Sequence, residues 1–193
     1  MTDDTRALEL TDPRAMRALA HPLRLRILDV IREQGSATAT QLAEALDEST
    51  SSTSYHLSQL AKHGFIEEEP TPGRERPWRA KAQGLRWSAG RGRSPEYLAA
   101  ARLLRSRVLD LHAQVLEDFL LAEDDLDPDW QESVVISDSR LHVTAEELAL
   151  IGEQLVELLE PYRRPDPDAR PDGARRVSFI TYGLPHPDSR GGS

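Results

Sequence analysis

The chain has 193 residues, enough for one ordinary domain or two small ones, and its 38% hydrophobic content is compatible with a folded core. It contains no cysteine, which excludes disulfide frameworks, thiolate metal sites and catalytic thiols and favours a cytoplasmic location. No apolar run is long enough to span a membrane, and the first ten residues lack the pattern of a secretion signal. We therefore expect no membrane partner.

The charge is distributed unevenly along the chain. The formal net charge of -9 argues against a nucleic acid partner, because a polyanion is repelled by an acidic surface. However, residues 1–93 carry 14 basic and 13 acidic residues, whereas residues 94–193 carry 10 and 20. Within the first half, residues 71–93 hold seven basic residues and only Glu75 as an acid. A locally cationic segment therefore exists in an acidic protein.

Residues 12–35 predict two helices. Asp12 and Pro13 are typical of a helix start, and Pro22 suits the first turn of a longer helix that Gly35 ends. Apolar residues recur there at helical spacing, which predicts one buried face: Leu19, Leu23, Ile27, Leu28 and Ile31.

Two shorter helices and a hairpin are predicted next. Residues 38–46 form a two-turn helix, and the polar stretch 47–52 supplies turn and N-cap residues for a helix over 51–62. Such a pair is a helix-turn-helix. The sequence then predicts two strands, over residues 65–68 and 78–81, joined by a Pro- and Gly-rich turn. Such a hairpin after a helix-turn-helix is a β-wing.

A long helix is predicted from Pro95 to Ala122. Its apolar residues alternate at spacings of four and three, and others widen the stripe, which therefore needs a partner: Tyr97, Ala101, Leu104, Val108, Leu109, Leu111, Val115, Leu116 and Leu120.

The remaining residues predict a small α+β extension. Residues 132–144 look strand-like, with a turn or bulge near Asp138, and residues 177–182 predict a final strand. Between them, Thr144 and Glu147 form a capping box for a helix over 145–160, whose inward face is Leu148, Ile151, Leu155 and Leu158.

Two sequence blocks, Leu-Ala-His-Pro-Leu-Arg with Arg-Ile-Leu over 19–28 and Ser-Tyr-His-Leu-Ser-Gln-Leu-Ala-Lys-His-Gly-Phe-Ile over 54–66, carry a family resemblance. Residues 12–82 resemble the winged helix-turn-helix domains of ArsR-like bacterial transcription regulators. The resemblance implies a homodimer whose third and fourth helices read DNA, flanked by the wing. The Cys-bearing motif that metal-sensing members commonly use is missing, and residues 94–193 exceed a minimal family domain.

The contact candidates follow from the geometry of the major groove, which admits one helix carrying short hydrogen-bonding side chains. If Leu57 and Leu60 face inward, the polar side chains of the fourth helix fall on the outer and flanking sides. Two arginines lie at the tip of the predicted wing, and one glutamine begins the preceding helix. The candidate DNA-binding residues are Gln41, Ser51, Ser52, Tyr55, Ser58, Gln59, Lys62, Arg74 and Arg76. His56 is expected to be a packed core histidine instead.

Metal binding and catalysis find little support in the sequence. Asp110 and His112 begin the Asp-x-His pattern by which some family members bind zinc and Glu123 continues it, but Leu126 occupies the place of the final ligand. Nucleophile elbow, P-loop, dinucleotide-binding and zinc-protease motifs are missing. We expect no metal, no cofactor and no enzymatic activity.

Taken together, the sequence predicts a mainly α protein with small β content, of the α+β class. Residues 1–93 are expected to form a winged helix-turn-helix DNA-binding domain, and residues 94–193 a dimerisation and effector-binding domain. The expected partners are double-stranded DNA and a second copy of the chain. Two alternatives stay open: the second half either binds a small effector or only sets dimer geometry, and the winged helix could instead be a protein-interaction module that binds no DNA.

Overall fold

The structure is a computed structural model that describes residues 7–71, 76–87, 92–164 and 166–186. The chain divides into two compact units, Met1–Glu117 with Pro165–Ala174, and Asp118–Arg164 with Arg175–Ser193. The first unit thus includes residues 94–117 as well as the predicted DNA-binding region. No helix in the described ranges is long and apolar enough to cross a membrane.

Two helices form the base of the first unit. Helix α1 (Pro13–Leu19) begins at Asp12, whose carboxylate accepts a hydrogen bond from the backbone N–H of Arg14 at 2.8 Å. Helix α2 (Pro22–Gln34) ends at Gly35, which has a positive φ of 80°. Both helices have proline in the first turn, as predicted. Their apolar faces supply the centre of the core with Met16, Leu19, Ile27, Leu28 and Ile31.

The predicted helix-turn-helix is present as α3 (Ala39–Leu46) and α4 (Thr50–Lys62). Asp47 ends α3 in the left-handed conformation, with φ of 53°. Ser49 caps α4 by accepting a hydrogen bond from the backbone N–H of Ser52 at 3.1 Å. The turn between the helices is thus held by local hydrogen bonds, including one from the Glu48 N–H to the Ala43 carbonyl at 2.9 Å.

Five short strands form two small sheets within the described ranges. The hairpin of β3 (Ile66–Glu68) and β4 (Trp78–Ala80) is the predicted wing, and β2 (Ser36–Ala37) extends it in the antiparallel order β2-β4-β3. A second sheet pairs β1 (Ala7–Glu9) with β5 (Gly84–Arg86) in parallel. This second sheet was not predicted.

Helix α5 spans Pro95–Ala122, the predicted bounds. Its first turns pack into the core of the first unit through Tyr97, Ala100 and Leu104, and the Tyr97 hydroxyl donates a hydrogen bond to the Leu10 carbonyl at 3.1 Å. Beyond residue 104 no α5 residue is fully buried. The helix is therefore anchored at its N-terminal end; beyond it, Val108 and Leu111 still pack against the core, while the opposite face is exposed.

The regular secondary structure described in the second unit is helical. Helix α6 covers Pro128–Glu132, and α7 covers Ala145–Leu159 with the predicted capping box, in which the Thr144 hydroxyl and the Glu147 side chain accept hydrogen bonds from each other's backbone N–H. Leu158, predicted to face inward, is exposed.

The two strand predictions in the second half are wrong. Residues 133–144 and 177–182 are irregular, and their apolar side chains, such as Ile136 and Phe179, are exposed. A segment of strand-like composition forms a strand only when its backbone hydrogen-bonds to a neighbouring strand. Among the described residues of this unit, none provides such a strand. The α+β class is nevertheless confirmed, since the first unit supplies the strands.

Candidate nucleic-acid interface

Helix α4 has one buried side and one polar side. Thr53, His56, Leu57 and Leu60 are buried, so the helix is fixed against the core by this face. The opposite face carries exposed side chains at spacings of four, three and four residues, which we call the outer line of α4: Ser51, Tyr55, Ser58 and Lys62. All four were predicted contact residues, and the structure brings them into a single row.

The other predicted residues of α4 lie at the flank of this row. Ser52 and Gln59 are half-buried, because each lies between the outer line and the buried face. Ser54, which sequence reasoning did not select, is exposed on the other flank. Its angular position, about 100° from Thr53 on a helical projection, was the signal available in the sequence.

Gln41 sits at the N-terminus of α3 and takes part in a capping box. Its side-chain oxygen accepts a hydrogen bond from the backbone N–H of Thr38 at 2.8 Å, and its own backbone N–H donates to the Thr38 hydroxyl at 3.3 Å. The oxygen is therefore engaged in the cap. The side chain is exposed, and its amide nitrogen carries N–H donors of the kind that bind phosphate oxygens.

The wing arginine Arg76 is engaged in an ion pair. Its guanidinium donates to the carboxylate of Glu68 at 2.7 Å, and this hydrogen bond with its charge raises the pKa of Arg76. Both side chains remain largely exposed, so the pair can open without uncovering a buried charge. The second predicted wing arginine, Arg74, lies outside the described residues.

Acidic residues of β3 lie beside the cations of β4. Arg79 faces Glu67 directly in the strand register and pairs with it at 2.5 Å, while Lys81 lies 3.6 Å from the same carboxylate. The cationic segment found in the sequence is thus partly neutralised, because the hairpin folds a separate acidic stretch against it. Arg93, further along that segment, lies over the Tyr97 ring, 4.7 Å from its centroid.

A stack of three rings joins α4 to the start of α2. His56 is buried as predicted, its ring centroid lies 4.5 Å from that of His21, and the Tyr55 ring meets it edge-on at 5.2 Å. We call these three side chains the ring stack. Among the described residues, Nδ1 of His56 and Nε of the nearby Arg24 are buried without a hydrogen-bond partner.

The ring stack disfavours protonation of its histidines. The pKa of His21 is lowered by burial and then by the positive charge of Arg24. The pKa of His56 is lowered by burial and then by His21 and Arg24, and Glu48 opposes the shift at both histidines. The sequence showed no partner for His21, because the contact depends on how α2 packs against α4. The neutral form of both histidines is therefore favoured, which suits their close ring contact.

The incomplete zinc pattern on α5 gains no ligands from the fold. Asp110 pairs with Arg107 at 3.1 Å, one helical turn away. The described part of the chain holds no group of three or more His, Asp or Glu side chains placed to hold a metal ion.

Comparison with known proteins identifies the N-terminal fold. Residues 19–69 match the family model described as "Helix-turn-helix domain". No curated protein matches the chain.

Several solved structures are similar to parts of this chain. The winged helix-turn-helix DNA-binding domain of Mb0332 from Mycobacterium bovis, a possible ArsR-family regulator whose fragment is homodimeric, is 24% identical over 55% of this chain and 77% of its own, with a TM-score of 0.34. A mutant of Lactococcus lactis ZitR in apo form is 16% identical over 74% and 83%, with a TM-score of 0.34. An E. coli MarR mutant complexed with operator DNA is 17% identical over 76% and 84%, with a TM-score of 0.31.

The match over residues 19–69 covers α2, β2, α3, α4 and β3, and the structure adds β4 to complete the wing. This part of the chain is therefore a helix-turn-helix domain with a wing beside it, as its sequence predicted.

Proposed function

We propose that the chain is a transcription regulator that binds operator DNA as a homodimer. The observation that carries the proposal is the outer line of α4, an exposed polar row on a helix whose opposite face is fixed in the core. A helix of this kind fits the major groove of B-form DNA, and the adjacent wing then reaches the flanking backbone or minor groove.

Each candidate residue has a role that its chemistry allows. The hydroxyls of the outer line hydrogen-bond base edges or phosphates, and Gln59 pairs with an adenine edge from the flank. Lys62 and Gln41 contact phosphates, which set the register of the protein on the duplex. Arg74, from the predicted wing tip, neutralises phosphates beside the groove, and Arg76 does so where its pair with Glu68 opens.

Helix α5 supplies the dimer contact in this proposal. Its exposed part carries a row of small and apolar side chains at spacings of four, three and four residues, which we call the α5 seam: Leu109, Ala113, Leu116 and Leu120. A helix with an apolar row of this spacing packs against a second helix. In this proposal the second helix is α5 of another copy of the chain.

The charges along α5 favour an antiparallel pair. The basic residues Arg102, Arg105 and Arg107 precede the seam, while Glu117, Asp118 and Glu123 lie near its end and beyond it. An antiparallel copy places each basic stretch against the acidic stretch of its partner, whereas a parallel copy would oppose like charges.

Each part of the chain has its own role in this proposal. Residues 1–93 bind DNA, and residues 94–193 set the dimer geometry and provide the binding region for any small effector. A ligand-dependent change in operator affinity separates an effector-binding role from a purely geometric one. The net charge of the second half, with 10 basic against 20 acidic residues, keeps it away from the duplex.

The DNA-binding proposal is tested by selecting bound duplexes from a random pool with the full chain. We expect enriched sequences with two-fold symmetry and an affinity that falls steeply with salt, because several phosphates are neutralised. If the chain binds no duplex even at low salt, the proposal fails and the protein-interaction alternative takes its place.

The dimer is tested by sedimentation of two matched variants. Leu116→Glu places a charge in the α5 seam and should give a monomer, while Leu121→Glu introduces the same charge at a side chain that is 85% exposed and lies off the seam, and should leave the dimer intact. Equal behaviour of the two variants would remove the seam from the proposal.

A further inference from the structure

Tyr55 is the one large ring on the outer line of α4. Tyr55 is 58% exposed to solvent. This exposure is notable because most of the surface of a tyrosine side chain is apolar ring carbon. The other members of the outer line present two hydroxyls and one ammonium group. The exposed ring is therefore the apolar feature that this surface offers to a partner.

The ring stack restricts where that ring can lie. The Tyr55 and His56 ring centroids lie 5.2 Å apart with an interplanar angle of 75°, and the buried His56 ring lies 4.5 Å from that of His21. A ring packed against a buried neighbour loses less freedom when a ligand binds than a free side chain does. The arrangement is suited to a contact of defined geometry.

The bases present one apolar group in the major groove. This is the C5-methyl group of thymine, while guanine is read by bidentate Arg or Lys and adenine by Asn or Gln. The outer line contains no arginine, asparagine or glutamine, and its lysine is in the last turn of the helix. Its strongest means of discrimination is thus contact between an apolar ring and a methyl group.

We propose that Tyr55 is a specificity-determining residue of the interface and reads the C5-methyl group of a thymine in each half-site, with His56 and His21 as positioning residues. This inference rests on the proposed DNA-binding function. It identifies thymine as the recognised base and the C5-methyl group as the feature that the protein contacts.

The test replaces each thymine of a selected duplex in turn by deoxyuridine, which removes the methyl group and keeps the base pair. The wild-type chain should bind about fourfold more weakly for each contacted methyl group that is lost. Tyr55→Phe, which keeps the ring, should show the same loss. Tyr55→Ala, at an exposed position that folding does not depend on, should bind the two duplexes equally.

The outcomes separate this inference from the function on which it rests. Failure to select any duplex overturns both. Tight binding by a wild-type chain that ignores deoxyuridine at every position, or an undiminished loss in Tyr55→Ala, overturns the role of Tyr55 alone.

The positioning role has its own readout. His21→Ala removes an exposed ring that makes no side-chain capping hydrogen bond, so folding should be preserved. It should lower the sensitivity to deoxyuridine while leaving the salt dependence of binding unchanged. Full sensitivity in this variant would overturn the role of the ring stack.

Discussion

The ion pair between Glu68 and Arg76 makes a quantitative prediction about DNA binding. Glu68→Gln removes the carboxylate that holds the Arg76 guanidinium at 2.7 Å and leaves an isosteric neutral side chain on the wing. The released arginine adds one phosphate contact per protomer. Each added contact steepens the slope of log Kobs against log salt by about 0.9, so a dimer should gain about 1.8. Between 50 and 200 mM salt this corresponds to a roughly tenfold larger loss of affinity.

The assay is fluorescence anisotropy titration of a labelled duplex at several salt concentrations. Glu96→Gln is the matched control, because it removes the same charge from an exposed pair. This pair joins Glu96 to Arg17 at 2.8 Å, between α1 and α5 and away from the wing. Its slope should equal that of the wild type. A Glu68→Gln slope that matches both of these would refute the argument that the Glu68 carboxylate keeps Arg76 from a phosphate.

Three further changes test the site and the core. Gln59→Ala should relax base preference and weaken specific binding by about 1–3 kcal/mol, measured by repeating the duplex selection; unchanged preference would remove Gln59 from the contacts. Leu104→Ala should lower the free energy of unfolding by about 2–5 kcal/mol in urea, since this side chain is fully buried, whereas Leu103→Ala, on an exposed side chain, should cost much less. Burial holds the pKa of His56 below its ordinary 6.5, so the unfolded chain takes up protons first and stability falls as pH drops below 6.5. His56→Gln should lose less thermal stability than the wild type between pH 7.5 and 5; an equal loss would contradict this origin.

Local signals predicted the helices well. Asp12 with Pro13, and Thr144 with Glu147, mark helix starts through hydrogen bonds that span two or three residues, so they can be read from a short window. The bounds of α5 were predicted for the same reason, because Pro95 and the end of its periodic pattern are local features. Helix ends are set by near neighbours in this chain.

Features that depend on distant residues were missed. The parallel pairing of Ala7–Glu9 with Gly84–Arg86 joins two three-residue strands that are too short to show alternation. The reverse error occurred at residues 133–144 and 177–182, whose β-branched and aromatic residues look strand-like but find no partner backbone in the described part of their unit.

The candidate site shows the same distinction. The outer line of α4 follows from helical periodicity once Leu57 and Leu60 are taken as buried, so the sequence was sufficient to predict it. The pairing of Arg79 with Glu67 was not predictable from a count of charges by segment, because it arises from the register of the wing hairpin. The contact between His21 and His56 depends in turn on the packing of α2 against α4.

Helix α5 links the two halves of the proposed mechanism. Its Leu104 is buried in the core that also fixes α4, and Leu116 of the α5 seam lies twelve residues further along the same helix, or about 18 Å at 1.5 Å per residue. Because a continuous helix is stiff over this length, the crossing of two α5 helices would determine the separation of the two α4 helices. That separation must match one turn of DNA, about 34 Å, for both to enter successive major grooves. A ligand that alters the crossing of α5 would therefore change operator affinity without touching α4.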